Sequence, residues 1–182
     1  MAALDPADLV FLDETSTPTT LTPLRARAPR GQRAVGAVPR GRWEQVTLIC
    51  ALTPAGVAAP VLLPGALDRD AFDAWVAEQL VPVLRPGQVV LLDNLSVHKS
   101  ATARRLVSAA GCELRHLPTY SPDMNPIEQA FAKVKGALRR AEARDFDGLV
   151  AAAKPALDDV TAADAAGFYR AAGYPLQRGQ PL

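Results

Sequence analysis

The chain has 182 residues, 49% of them hydrophobic and 21% charged, which suits one domain with a real core and excludes a disordered polymer. No apolar run approaches the roughly 20 residues a membrane span needs. The N-terminus, M-A-A-L-D-P-A-D, has neither the basic region nor the apolar core of a secretion signal, so the expectation is a cytoplasmic protein. The net charge is only +1, so any preference for nucleic acid must come from how the charges are distributed.

In chain order, the apolar run at 9–12 predicts a first strand, which carries Asp13 and Glu14 at its end. Residues 15–43 follow without a single Asp or Glu and with six arginines, Arg25, Arg27, Arg30, Arg33, Arg40 and Arg42. Four prolines and little periodicity make this an extended, irregular basic arm. It is either a solvated loop or a phosphate-contacting element, since guanidinium groups bind phosphate in a bidentate manner. Strands are predicted at 45–52 and 57–63, joined by the turn Thr53-Pro54-Ala55-Gly56 into a hairpin. Residues 68–84 carry Phe72, Trp75, Val76, Leu80 and Val83 at helical spacing, with Asp68 as N-cap.

A fourth strand is predicted at Val89–Leu92 and leads into Asp93-Asn94. A helix at 100–110 is capped by Ser100 and stopped by Gly111, and 112–117 form a fifth strand. The loop at 118–125 leads to Pro126, which opens a helix reaching about residue 143. Two more helices are predicted, Phe146–Asp158 with a possible break at Pro155, and 162–172, before a loose tail at 175–182. Cys50 and Cys112 are far apart in predicted strands and read as buried thiols rather than a disulfide or metal pair. Three strands, helix, strand, helix, strand, helix is the ribonuclease H-like order. It predicts an α/β fold with a five-stranded mixed sheet flanked by helices, here with extra C-terminal helices, all in one domain spanning 1–182.

Three carboxylates stand out within this order. Asp13 and Asp93 follow the two most apolar strands, and Glu128 follows Asn125-Pro126 where a helix starts. Acids at strand and helix ends can face one point, and a hard divalent cation takes oxygen ligands. Alternation along a strand lets only one of Asp13 and Glu14 face that point. Asp123 competes with Glu128, which a helix places more rigidly than a turn would. Taken separately, each acid could instead cap a turn or face a helix dipole. Asn94, His98 and Lys99 follow Asp93, where Lys99 or His98 could reach a phosphate or an attacking water. A polar loop and helix cap is the competing reading. Lys135 and Arg139 lie four apart on the helix of Glu128 and could track a phosphate strand.

The pattern Asp13-Glu14, then Asp93-Asn94 with Ser96-Val97-His98-Lys99, then Tyr120-Ser121-Pro122 with Asn125-Pro126-Ile127-Glu128, resembles the catalytic domain of DDE transposases. Within them it is similar to the mariner-like superfamily and its bacterial insertion-sequence branch. Thirty-four residues separate Asp93 from Glu128, which is that family's spacing between its second and third acids. The resemblance implies that Asp13, Asp93 and Glu128 hold two Mg2+ or Mn2+ ions, with Asp13 bridging them. It implies DNA strand cleavage and strand transfer at insertion-element ends, DNA as partner, and a homodimer or higher assembly on that DNA. It also implies that the basic arm contacts DNA or a second subunit. Larger family members read the element ends with N-terminal helix-turn-helix domains, so the expectation for these residues is catalysis. The alternatives are another ribonuclease H-like nuclease, or an inactive remnant that binds DNA or a partner.

Overall fold

A computed structural model describes residues 4–40 and 43–176; Arg42 of the basic arm and residues 177–182 of the expected tail lie outside the described residues. Five strands, β1 (Leu9–Pro18), β2 (Gln45–Thr53), β3 (Gly56–Pro64), β4 (Val89–Leu92) and β5 (Glu113–His116), form one sheet in the order β3-β2-β1-β4-β5. The β1–β2 and β2–β3 pairs are antiparallel, and β1–β4 and β4–β5 are parallel. This is the mixed ribonuclease H-like sheet that the element order predicts. Helices α1 (Arg69–Trp75) and α2 (Ala101–Ala109) cover one face, and α3 (Ile127–Ala141), α4 (Phe146–Asp158) and α5 (Ala162–Ala171) the other.

Strand alternation sorts the core into two layers. Leu9 and Phe11 of β1 point toward α3, α4 and α5, whereas Val10 and Leu12 point toward α1 and α2. Helix α3 meets its layer with Ile127, Ala130, Phe131, Val134 and Leu138, a stripe at spacings of three and four. Cys50 and Cys112 are buried free thiols, as expected.

Three elements depart from the sequence expectation. Strand β1 runs six residues past its apolar run. The segment from Glu14 to Pro18, polar in its side chains, pairs with β2 through the backbone, and its partners run from Ile49 back to Gln45. Asp13 therefore sits inside a strand rather than where one emerges, and the arm starts after Pro18. Its base is tied off by Thr19, whose N–H donates to the Glu44 carbonyl and whose Oγ1 accepts from the Glu44 N–H, at 3.0 and 3.1 Å. The helix expected at 68–84 is α only to Trp75; a π turn at Val76–Leu80 and a 3-10 turn at Val81–Val83 complete it. Pro82 is the cause, because it lacks the N–H that would bond the Glu78 carbonyl and its ring crowds that carbonyl. Pro155, by contrast, does not break α4, since Ala156 and Leu157 beyond it are buried and hold the last turn in place. Among the described residues, no helix is long and apolar enough to cross a membrane.

The C-terminal layer is pinned by Tyr169 of α5, which is fully buried. Its hydroxyl lies 2.7 Å from the Leu9 carbonyl and 3.0 Å from the Leu52 carbonyl, so one proton serves two neighbouring strands. Its ring meets Phe11 edge-on at 5.2 Å. Replacing Tyr169 with Phe keeps the ring and removes the donor. Urea unfolding should show a loss of about 1–3 kcal/mol, the cost of leaving buried acceptors without their donor.

Candidate active site

The parallel register that sets Leu9 beside Val89 and Phe11 beside Leu91 brings Asp13 level with Asp93, where β4 ends and β1 continues along β2. Asp13 shares its face of the sheet with Leu9 and Phe11, and so it looks toward α3. Glu128 stands in the first turn of that helix. All three carboxylates line one cleft of about 280 Å³, together with Asn94, the 117–122 loop and Asn125. Asp123 belongs to a short 3-10 turn beside this cleft and is exposed, and it is not among the residues that line it.

Asp13 is 7% exposed, and each of its oxygens has one donor: the Glu14 N–H at 2.8 Å and the Asn125 amide at 2.8 Å. Burial, followed by the negative charges of Asp93, Glu14 and Glu128, outweighs the Glu14 N–H and pushes its pKa up to about 7. Asp93 differs. Burial pulls its pKa upward, but His98, the Leu95 N–H and His116 outweigh burial and hold it below the usual carboxylate value. Its Oδ1 accepts from the Leu95 N–H at 3.0 Å and meets His98 Nδ1 at 2.6 Å. His116 fastens the same residue's backbone, with Nδ1 donating to the Asp93 carbonyl at 2.8 Å, and Asn94 donates to the Leu117 carbonyl across the cleft floor.

His98 is not available to a phosphate or an attacking water, because its side chain has no exposed surface. It lies instead between two carboxylates, with Nε2 2.8 Å from Glu14 Oε2. That second contact is short but lies off the N–H axis, so it is an ion pair rather than a well-aligned hydrogen bond. Burial favours the neutral ring, yet Asp93 and Glu14 outweigh it and raise the His98 pKa to about 9. Lys99 is exposed and faces away from the acids, lining a separate groove with Arg104, Arg105 and His116. Lys135 and Arg139 are half-buried along α3. Burial, then Arg139, depresses the Lys135 pKa, while Glu128 works against them, so Lys135 lies in the field of the cleft. Arg25, Arg27, Arg30 and Arg33 are exposed on the arm and are not among the residues that line the cleft.

Two partners were not legible in the sequence. Asn125 reads as a loop residue that aims Glu128, yet its side chain holds Asp13 across 112 residues of sequence. Glu14 reads as a rival of Asp13, yet it pairs with His98 on the opposite face of β1. Strand alternation was the available signal for the second, and nothing local signals the first.

The cleft suits a hard cation. Its donors are carboxylate oxygens, negative charge is in excess around Asp13, and the buried Asn125 Oδ1 has no hydrogen-bond partner. Among the described residues, no three Asp, Glu, His or Cys side chains are drawn together as a ready-made metal cluster. The raised Asp13 pKa has a consequence for folding. The folded chain keeps this proton over a range in which the unfolded chain has lost it. The resulting stabilisation is complete below about pH 4 and is lost as pH rises through about 7. Without added metal, the unfolding free energy from urea titrations should fall more steeply between about pH 5 and 7 for the natural chain than for Asp13→Asn, by no more than about 4 kcal/mol. The variant is tolerated because a flip of the Asn125 amide presents Oδ1 to the new side chain.

A five-stranded mixed sheet in this order, with carboxylates gathered where β1 and β4 part, defines a ribonuclease H-like domain with an acidic cleft. The chain belongs to the DDE superfamily endonuclease family, which matches residues 8–150. Its fold is similar to that of the Mos1 mariner transposase. In the Mos1 paired end complex with Mn the TM-score is 0.69 at 18% identity, covering 92% of this chain and 52% of that one. In the strand transfer complex the values are 0.65, 22%, 91% and 51%. The catalytic domain of Mos1 alone gives 0.60 at 16% identity, covering 92% of this chain and 76% of that one. The chain thus spans about half the length of the Mos1 chains in those complexes. No curated protein sequence matches it.

Proposed function

We propose that residues 1–182 act as the catalytic domain of a DDE transposase from the bacterial insertion-sequence branch, working on cytoplasmic DNA. Its activity is DNA strand cleavage at element ends followed by joining of the freed 3′-hydroxyl to target DNA. The observation that carries this reading is the convergence of Asp13, Asp93 and Glu128 on one cleft in a chain of this family. These three carboxylates would hold two Mg2+ or Mn2+ ions, which supply an activated oxygen nucleophile and neutralise charge at the phosphorus. Divalent metal is in keeping with the Mos1 structures that carry Mn or Mg.

The chain's own groups prepare the acids. Asn125 fixes the carboxylate of Asp13 in the buried half of the cleft. Leu95 and His98 engage Oδ1 of Asp93, and among the described residues no protein group donates to its Oδ2, which is left for the cleft side. Helix α3 presents Glu128 from a rigid backbone. Lys135 and Arg139 offer positive charge further along that helix for the backbone of a DNA strand. The exposed arm adds phosphate contacts outside the cleft, and the assembly on DNA is a homodimer or larger.

The test is a donor plasmid carrying the chain's gene with its flanking DNA, incubated with purified protein and Mn2+. Nicks at the element ends and joined products support the proposal. Nicks without joined products reduce it to an endonuclease. No metal-dependent cleavage of any DNA overturns it.

A further inference from the structure

We infer that Glu14 and His98 form a brace that positions Asp93 for its cation, with Glu14 acting through His98 and not as a ligand. The inference rests on the proposed role of Asp93 and extends it to two residues behind the cleft. Glu14 projects from β1 on the face opposite Asp13, toward α1 and α2. His98 sits in the turn between β4 and α2, with its ring against Phe72 of α1 at 4.9 Å. Each ring nitrogen meets a carboxylate oxygen, Nδ1 at Asp93 Oδ1 and Nε2 at Glu14 Oε2, at 2.6 and 2.8 Å.

That arrangement has two effects on Asp93. The first is geometric. Oδ1 is held by the ring and by the Leu95 N–H, which fixes the plane of the carboxylate and turns Oδ2 toward the cleft. The second acts on the ring itself, which packs against Phe72 and meets Glu14 Oε2 at Nε2, so Glu14 reaches Asp93 by fixing where the ring stands. Partners behind a metal ligand commonly tune affinity about 10- to 100-fold.

The experiment measures Mn2+ binding to the full chain by electron paramagnetic resonance, without DNA, and thermal unfolding on the same preparations. Glu14→Ala should weaken Mn2+ binding about tenfold or more. Glu14→Gln keeps an acceptor for Nε2 but not the charge, and it should fall between Ala and the natural chain. In a His98→Gln background, Glu14→Ala should add little, because its route to Asp93 is already cut. If Glu14→Ala lowers only the melting temperature and leaves Mn2+ affinity unchanged, the brace is structural and the inference fails. If Glu14→Ala costs as much in the His98→Gln background as alone, Glu14 is itself a ligand and the inference also fails. Should His98→Gln not fold, the ranking of Gln above Ala at position 14 decides it, and equal affinities there overturn the brace. Asp93→Asn separates this from the parent reading. Loss of binding in Asp93→Asn with none in Glu14→Ala removes the brace alone, whereas unchanged binding in Asp93→Asn removes the site assignment beneath it.

Discussion

Asp93→Asn is expected to abolish Mg2+- or Mn2+-dependent strand nicking while leaving the domain folded. The substitution preserves shape, and an Asn side-chain oxygen can still accept from the Leu95 N–H and from His98 Nδ1. The change falls on the cleft side, where a charged Oδ2 becomes an amide NH2 that repels a cation instead of binding it. Losing several kcal/mol of charge stabilisation at the phosphorus, about 4, corresponds to a rate loss on the order of 10³-fold. The folding cost is small by comparison. Glu14 still pairs with His98, and Asp13 loses one of the negative neighbours that raise its pKa. Supercoiled-plasmid nicking, with circular dichroism on the same samples, checks both halves. Nicking at the natural rate by a folded Asp93→Asn protein removes Asp93 from the reaction and leaves the cleft with two acids, too few for the proposed chemistry.

Elements whose interiors are apolar and periodic were the most legible in the sequence. Strand β4, the capped helix α2 and the stripe on α3 each place one side chain type at a regular interval, and burial enforces that interval. Strand β1 past Leu12 was not legible in the same way. Its pairing is satisfied by backbone bonds to β2, while its side chains, Asp13, Glu14, Thr15 and Ser16, are polar because they border a cleft and a sheet surface. The π turn after Trp75 was hidden as well. Phe72, Trp75, Val76 and Leu80 satisfy a regular α spacing, and it is the missing N–H of Pro82 that widens the turn.

The site was legible to different depths for each residue. Asp13, Asp93 and Glu128 each follow an apolar strand or open a helix, and the family resemblance singled out Asp13 over Glu14; the β1–β4 register and helix α3 bring the three to one cleft. His98 lies five residues from Asp93, so its proximity was foreseeable, but the turn from Leu95 to Lys99 buries it and directs its second nitrogen to β1. The contact between Asn125 and Asp13 depends on how the 118–125 loop folds over the sheet, and no local pattern encodes that. Spacing along the chain, read with the family resemblance, points to the groups proposed to react. The groups that orient them come from tertiary contacts between elements distant in sequence.

Replacing Arg25, Arg27, Arg30 and Arg33 with alanine should weaken binding to all DNA sequences alike. The arm has no Asp or Glu to neutralise these arginines, and the described part of it is exposed and irregular. Lysines and arginines that neutralise phosphates release counterions, and each contact contributes about 0.9 to the slope of log affinity against log salt. Losing all four contacts should flatten that slope by about 3.6, a large share of the total for a domain of this size. The cleft should be undisturbed, because the Thr19–Glu44 backbone pair closes the base of the arm before it leaves the sheet. Leu24, Val35 and Val38 are also exposed on the arm, a feature that suits packing against a second copy of the chain rather than against phosphate. The two roles separate in one preparation. If the arm grips a partner, sedimentation shows the variant falling to monomers while the monomer's salt slope stays as it was. If it contacts phosphate, the slope flattens even where the assembly state is unchanged. An unchanged slope rejects phosphate contact by these four arginines whatever the assembly does, and it would shift DNA tracking onto Lys135 and Arg139 on the helix that carries Glu128.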